Sequence, residues 1–126
     1  MAQPATQIIE QTPIQPAATA IDRGHLAHMT FGDRSLEREV LQLFDRQAGM
    51  LVTRMRASEP PAVATLAHTI KGSALGVGAV NVARAAATAE FAATLRGGAE
   101  MSLAIDRLAV AVDEARATIA MLLHAY

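Results

Sequence analysis

Five stretches of the 126-residue chain repeat apolar positions at the three-and-four spacing of an α-helix, with glycine, proline or polar breaks between them. The last is the most regular. Met101, Ile105, Leu108, Val112, Ala115, Ile119 and Leu122 alternate steps of four and three without interruption, which is the seam of a helix packed in a left-handed bundle. This helix starts near Glu100 and runs to the C-terminus.

A helix from about Ala79 to Arg96 precedes it and is closed by Gly97-Gly98. Before that, a helix from Pro61 to about Leu75 is ended by Gly76-Val77-Gly78. Leu36, Val40, Leu43, Phe44, Leu51 and Met55 predict another, starting at Asp33 or Ser35 and reaching residue 56 or so. Ser58-Glu59-Pro60-Pro61 then stops one helix and starts the next, because proline in a first turn removes an amide that has no partner there anyway. A short helical segment capped by Asp22, with Leu26 and Met29 facing inward, leads into a Phe31-Gly32-Asp33 turn. Met50, Met55, Met101 and Met121 are expected as gap fillers in the core.

Four long helices joined by short loops must alternate in direction. The pattern therefore predicts an all-α fold for residues 21–126, an antiparallel four-helix bundle with a short extra N-terminal helix. Residues 1–20 hold four Gln, three Pro and three Thr and no sustained apolar face, so they are expected to be a disordered leader.

Composition narrows the classes further. With 28 alanines and only four aromatic residues, the chain lacks the β-branched and aromatic content of a sandwich or barrel. A net charge of -1 leaves no electrostatic footprint for nucleic acid. The absence of cysteine excludes disulfide scaffolds, zinc ribbons and thiol catalysis. No apolar run reaches the roughly 18 residues of a membrane span. The N-terminus lacks the basic start and apolar run of a secretory signal, so a cytoplasmic location is expected.

The candidate chemistry lies on the third long-range pattern, from Pro61 on. At about 100° per residue, Val63, Leu66, Ala67, Ile70 and Ala74 share one face, and His68 falls well off it. His68 should therefore be exposed in mid-helix on a rigid element. One turn on stands Gly72, in a helix interior where glycine costs about 1 kcal/mol relative to alanine. A chain with so many alanines has a reason for that glycine, and room beside the imidazole is the simplest one. Lys71, the only lysine among 11 cations, can place a compact ammonium beside the ring. An exposed imidazole is substantially neutral near neutral pH and can attack phosphorus. A carboxylate would hinder an anionic group there, and no acid lies within four residues of His68. Ala64 and Leu75 make the surrounding surface small and apolar.

Ala67-His68-Thr69-Ile70-Lys71-Gly72-Ser73-Ala74, with Gly78 ten residues after the histidine, closely resembles the signature of histidine-containing phosphotransfer (HPt) domains. Phe31-Gly32-Asp33 ahead of Leu43-Phe44, and Ala89-Glu90 on the following helix, are similar to flanking features of that family. The resemblance covers roughly Ile21 to Leu123. It implies a phosphocarrier rather than an enzyme: His68 would accept a phosphoryl group from an aspartyl phosphate of a receiver domain and pass it to another. Lys71 would neutralise phosphoryl oxygens, and Gly72 would leave room for the receiver. Ala64, Ala67, Lys71, Gly72 and Leu75 would form the docking patch. No cofactor of its own is implied, since Mg²⁺ and the acidic pocket would come from the receiver. The expected partners are receiver domains of response regulators or hybrid kinases, with no nucleic acid or membrane, and the chain itself is expected to be a monomer.

Other readings attach to the same residues. The docking face could serve an interaction module that turns over no phosphate. Gly72 and Gly76 also spell a small-residue packing pattern. Gly72, Gly76 and Gly78 follow the lysine with no strand before them, which is not a phosphate-binding loop. His25 and His28 stand at i, i+3 but lack a third ligand for a metal. His124 suits the last turn of a helix electrostatically, and the many arginines read most simply as solvated faces.

Overall fold

In the computed structural model, which describes residues 20–95 and 98–125, every regular element is a helix. Helix α1 spans Arg23–Met29, α2 Arg34–Arg56, α3 Pro60–Val77, α4 Val80–Thr94 and α5 Ala99–Ala125. The starts follow the expected chemistry. Asp22 Oδ1 accepts from His25 N at 3.0 Å, and Asp33 Oδ1 accepts from Leu36 N at 3.0 Å. Pro60 and Pro61 fill the first positions of α3, after an N-cap Glu59 that makes no side-chain cap bond.

The ends differ slightly from expectation. α3 continues through Gly76 and Val77, because Gly76 accepts helical backbone, and only Gly78 turns left-handed, at φ +79°. α4 stops at Thr94 with Leu95 as C-cap. Arg96 and Gly97 lie outside the described residues, as do residues 1–19 of the predicted leader. Ala20 and Ile21 are both buried.

The four longer helices pack in a ring: α3 on α2 and α4, and α5 on α2 and α4. The short α1 lies against α3. On α5 the predicted seam holds throughout, with Ile105, Leu108, Val112, Ala115 and Ile119 buried and Met101 and Leu122 packed at the edge of the core.

On α2 the register is corrected. Leu41, Phe44, Ala48, Val52 and Met55 are buried, whereas Leu43 is 47% exposed and Leu36, Val40 and Leu51 are half-buried. This helix carries two adjacent apolar stripes, and periodicity alone does not say which one meets the neighbours. The methionines are corrected too. Met55 is buried and Met101 is half-buried, but Met50 and Met121 face solvent, and so does Met29 on α1. The physical reason lies in the alanines. Ala83, Ala86, Ala89, Ala92 and Ala93 on α4, with Ala104, Ala111 and Ala115 on α5, let helices approach closely and leave few gaps to fill.

Helix α1 braces the C-terminal end of α3. Asp22 N donates to the Gly78 carbonyl at 2.7 Å, and His25 Nε2 lies 2.8 Å from the carbonyl oxygen of Leu75. A carbonyl only accepts, so the proton of that bond is on His25 Nε2. A Cβ at Gly78 would sit 2.6 Å from the Asp22 carbonyl oxygen, so close approach and positive φ both demand glycine there.

Candidate functional site

The core face of α3 follows the sequence pattern. Val63, Leu66, Ala67, Ile70, Ala74 and Val77 are buried, which commits that side of the helix to the interior. His68 is left outside, with 69% of its side chain accessible, on a helix held by neighbours on three sides. Gly72 is exposed one turn further on, and a Cβ added there would meet nothing within 4 Å. Close helix packing therefore does not explain this glycine; what it provides is open space next to the imidazole. Gly76 is equally free of neighbours.

A carboxylate arrives from α4, although no acid lies within four residues of His68 along the chain. Glu90 Oε2 lies 3.1 Å from His68 Nδ1, and Glu90 Oε1 accepts from Lys71 Nζ at 2.9 Å. The Lys71 hydrogen bond, opposed by partial desolvation and aided by the lysine and histidine charges, holds the Glu90 carboxyl below its ordinary value of 4.5. Glu90 is thus ionised and can only accept. It follows that His68 Nδ1 carries a hydrogen and donates it, so in the neutral ring Nε2 holds the lone pair.

The position of the acid reconciles it with the chemistry. It stands at the Nδ1 edge and leaves the lone pair of Nε2 on the other side of the ring. Lys71 remains beside the ring but is part of a hydrogen-bonded trio, with two further N–H groups on its ammonium. A signal for Glu90 exists in the sequence: it is the only acid between Glu59 and Glu100, a stretch that holds three cations, Lys71, Arg84 and Arg96. What sequence spacing cannot supply is that α4 packs so as to bring it against α3.

The surface around His68 is divided. Ala64, one turn before the histidine, is half-buried and lines an open hollow of about 340 Å³ with Pro60, Pro61, Ala93 and Thr94. Leu75, beyond Gly72, is 57% exposed. Ala67 is fully buried, so its expected place in a docking patch is corrected: at that angle on α3 its methyl group belongs to the core. His25 is engaged with the Leu75 carbonyl, and His28 is exposed. Among the described residues no three His, Cys, Asp or Glu side chains stand together as a metal site, and no helix is long and apolar enough to cross a membrane.

The family model of the Hpt domain matches residues 38–124, a span that takes in α3, α4 and nearly all of α2 and α5. No curated protein and no solved structure matches the chain. Hpt domains are phosphocarriers that act with receiver domains in phosphorelays, and the match extends over well more than half of the sequence. A helical bundle that displays one histidine beside a lysine and an open glycine, and that this family model covers from α2 to α5, belongs to the Hpt domain family.

Proposed function

We propose that this chain is a histidine phosphocarrier in which His68 accepts a phosphoryl group from a receiver's aspartyl phosphate and passes it to another receiver. The observation that carries this reading is the exposed His68 ring with Nδ1 tied to Glu90 and Nε2 without a partner among the described residues. In transfer, the Nε2 lone pair forms the N–P bond as the bond from phosphorus to the aspartate oxygen breaks, and the aspartate leaves as carboxylate. The ring becomes positively charged and keeps its Nδ1 hydrogen. Glu90 stabilises that charge, in the way a buried acid steadies an imidazolium. The reverse steps return the phosphoryl group to a second receiver.

Lys71 neutralises the phosphoryl oxygens with the N–H groups that Glu90 does not use. Gly72 admits the receiver's loops to the imidazole, and Ala64 and Leu75 supply apolar contact on either side. Mg²⁺ and the acidic pocket belong to the receiver in this reading. Glu90, the one carboxylate at the site among the described residues, is already committed to His68 and Lys71. We further read α2 to α5 as an antiparallel four-helix bundle with α1 attached, because residues 57–59 and 78–79 leave too little chain for anything but a reversal between consecutive helices. The working unit is a cytoplasmic monomer.

The test mixes the protein with a phosphorylated receiver domain and Mg²⁺, then follows acid-labile, alkali-stable label on wild type and His68→Gln. Label on wild type alone is expected. Receivers that bind without transferring would reduce the chain to a docking module, and label surviving on His68→Gln would mean another histidine carries the group.

A further inference from the structure

On the far side of the ring from the α3–α4 seam, α2 together with Arg116 of α5 lines an open groove of about 490 Å³. Arg46, Gly49, Met50, Thr53, Arg54 and Arg116 line it. Three of these residues are arginines, and none of the lining residues is acidic. Arg116 alone has a carboxylate partner: its Nε donates to Asp45 Oδ1 at 2.9 Å. Arg46 and Arg54 make no ion pair among the described residues. In a chain with 11 cations and 12 acids this local excess is not a consequence of bulk charge.

Gly49 is part of the same arrangement. A Cβ at that position would lie 2.6 Å from Arg116 Nη1 and 3.2 Å from its Cζ. Mid-helix glycine is unfavourable, and here it makes the bed on which a guanidinium from α5 rests. Asp45 holds Arg116 by Nε, so its outer nitrogens stay available in a fixed position. A preorganised guanidinium of this kind suits a carboxylate better than a mobile one.

The dimensions select the occupant. Arg46 and Arg54 are eight residues apart, about 12 Å along the α2 axis, and Arg116 reaches the seam between them against Gly49. Met50, 61% exposed, adds an apolar contact among the charges. Arg46, Thr53 and Arg54 are exposed as well, so the groove lacks the walls that cover most of a small ligand. A helix lying along the seam meets both requirements, with acidic side chains a turn or two apart and an apolar one between.

We infer that the α2–α5 groove docks an acidic amphipathic helix of a partner protein. Its carboxylates pair with Arg46, Arg54 and Arg116, and an apolar side chain rests on Met50. Because this seam and the His68 seam are on opposite sides of the ring, the helix stays bound while a receiver occupies the histidine. The groove thus tethers the phosphocarrier to a second protein without competing for its site.

The experiment is fluorescence anisotropy of the full chain with a labelled helical peptide of about 18 residues, glutamates along one face and leucines beside them. Saturable binding is expected, weakening as salt is raised. Arg46→Ala/Arg54→Ala is expected to raise Kd at least about tenfold. Arg23→Ala/Arg107→Ala, which removes the same charge elsewhere, leaves Kd within about twofold of wild type. Gly49→Ala weakens binding several-fold by displacing Arg116, and His68→Gln binds as wild type does, which separates this proposal from the phosphocarrier reading. Matched circular dichroism of the arginine variants establishes that they fold. Absence of peptide binding, indifference to Arg46 and Arg54, or binding of ATP or anionic vesicles in place of the peptide would each overturn the inference.

Discussion

Glu90, from one helix, holds the Nδ1 edge of His68, from another, at 3.1 Å and so decides which nitrogen of the exposed ring is free. The same carboxylate takes a hydrogen bond from Lys71. One acid therefore sets the tautomer of the histidine and keeps the lysine close by, and in the proposed transfer it would balance the charge of a phosphorylated ring. Replacing it with glutamine separates these effects. Glu90→Gln can still accept from Nδ1 but cannot balance a positive ring, so phosphoryl transfer to His68 is expected to slow by about ten- to a hundredfold. Receiver binding should change little. Single-turnover labelling with a phosphorylated receiver, run beside a binding titration, measures both.

The depressed carboxyl of Glu90 also predicts how stability responds to acid. A group whose folded-state pKa lies below its unfolded value stabilises the fold above that unfolded value, here 4.5, and the contribution disappears as pH falls through the lower folded value. Wild type should therefore melt at a higher temperature than Glu90→Gln at neutral pH, and the gap should close on acidification below 4.5. Paired thermal melts across that range check the sign. A gap that widens in acid would contradict it.

Gly72 within α3 and Gly78 at its C-cap are expected to respond in opposite directions to alanine. At Gly72 the added methyl meets nothing, so Gly72→Ala should stabilise the protein by about 0.5–1 kcal/mol. Gly78→Ala meets the Asp22 carbonyl at a positive φ, and should cost about 2 kcal/mol or more. Urea denaturation resolves both. Gly72→Gln should keep the stability gain in part while impeding transfer from a receiver, since the obstruction acts only on an approaching partner.

The corrected register of α2 makes a simple comparison. Leu41 is fully buried, so Leu41→Ala should cost about 2–5 kcal/mol, whereas Leu43→Ala on the open side should cost less than about 1 kcal/mol. Chemical denaturation of the two variants tests whether Leu41 or Leu43 faces the core. Equal losses would put the stripe back where periodicity alone suggested.

Ala64 and Ala67 separate docking from folding in the same way. Ala67→Glu places a charge in a fully buried position and should unfold the domain or nearly so. Ala64→Glu, half-exposed at the rim of the hollow, should melt close to wild type yet weaken receiver binding several-fold. Circular dichroism and a receiver titration together distinguish the two.

Local chemistry was legible in the sequence wherever a residue's own neighbours in the chain decide the outcome. Asp22 and Asp33 cap helices because their side chains reach amides three residues on. The α5 seam is unbroken, so only one face can be inside. His68 is exposed because Val63, Leu66, Ala67, Ile70 and Ala74 commit another face of α3 to the core and His68 falls off that face. The Lys71-Gly72 pair beside it was readable for the same reason.

Tertiary structure decided what depends on two elements meeting. Periodicity predicted an α2 stripe through Leu43; Phe44 and Met55 of that stripe are buried, but the approach of the neighbouring helices turned Leu41 and Val52 inward instead of Leu43. Close alanine packing, a property of pairs of helices, left Met50 and Met121 outside. Glu90 is 22 residues from His68 along the chain, and only the packing of α4 on α3 closes that distance to a hydrogen bond. Gly49 and Arg116 are further apart still, and each looks unremarked until α2 and α5 lie side by side. A sequence states the direction in which each helix face points; which side chain it then meets depends on the rotation and offset of the helix opposite.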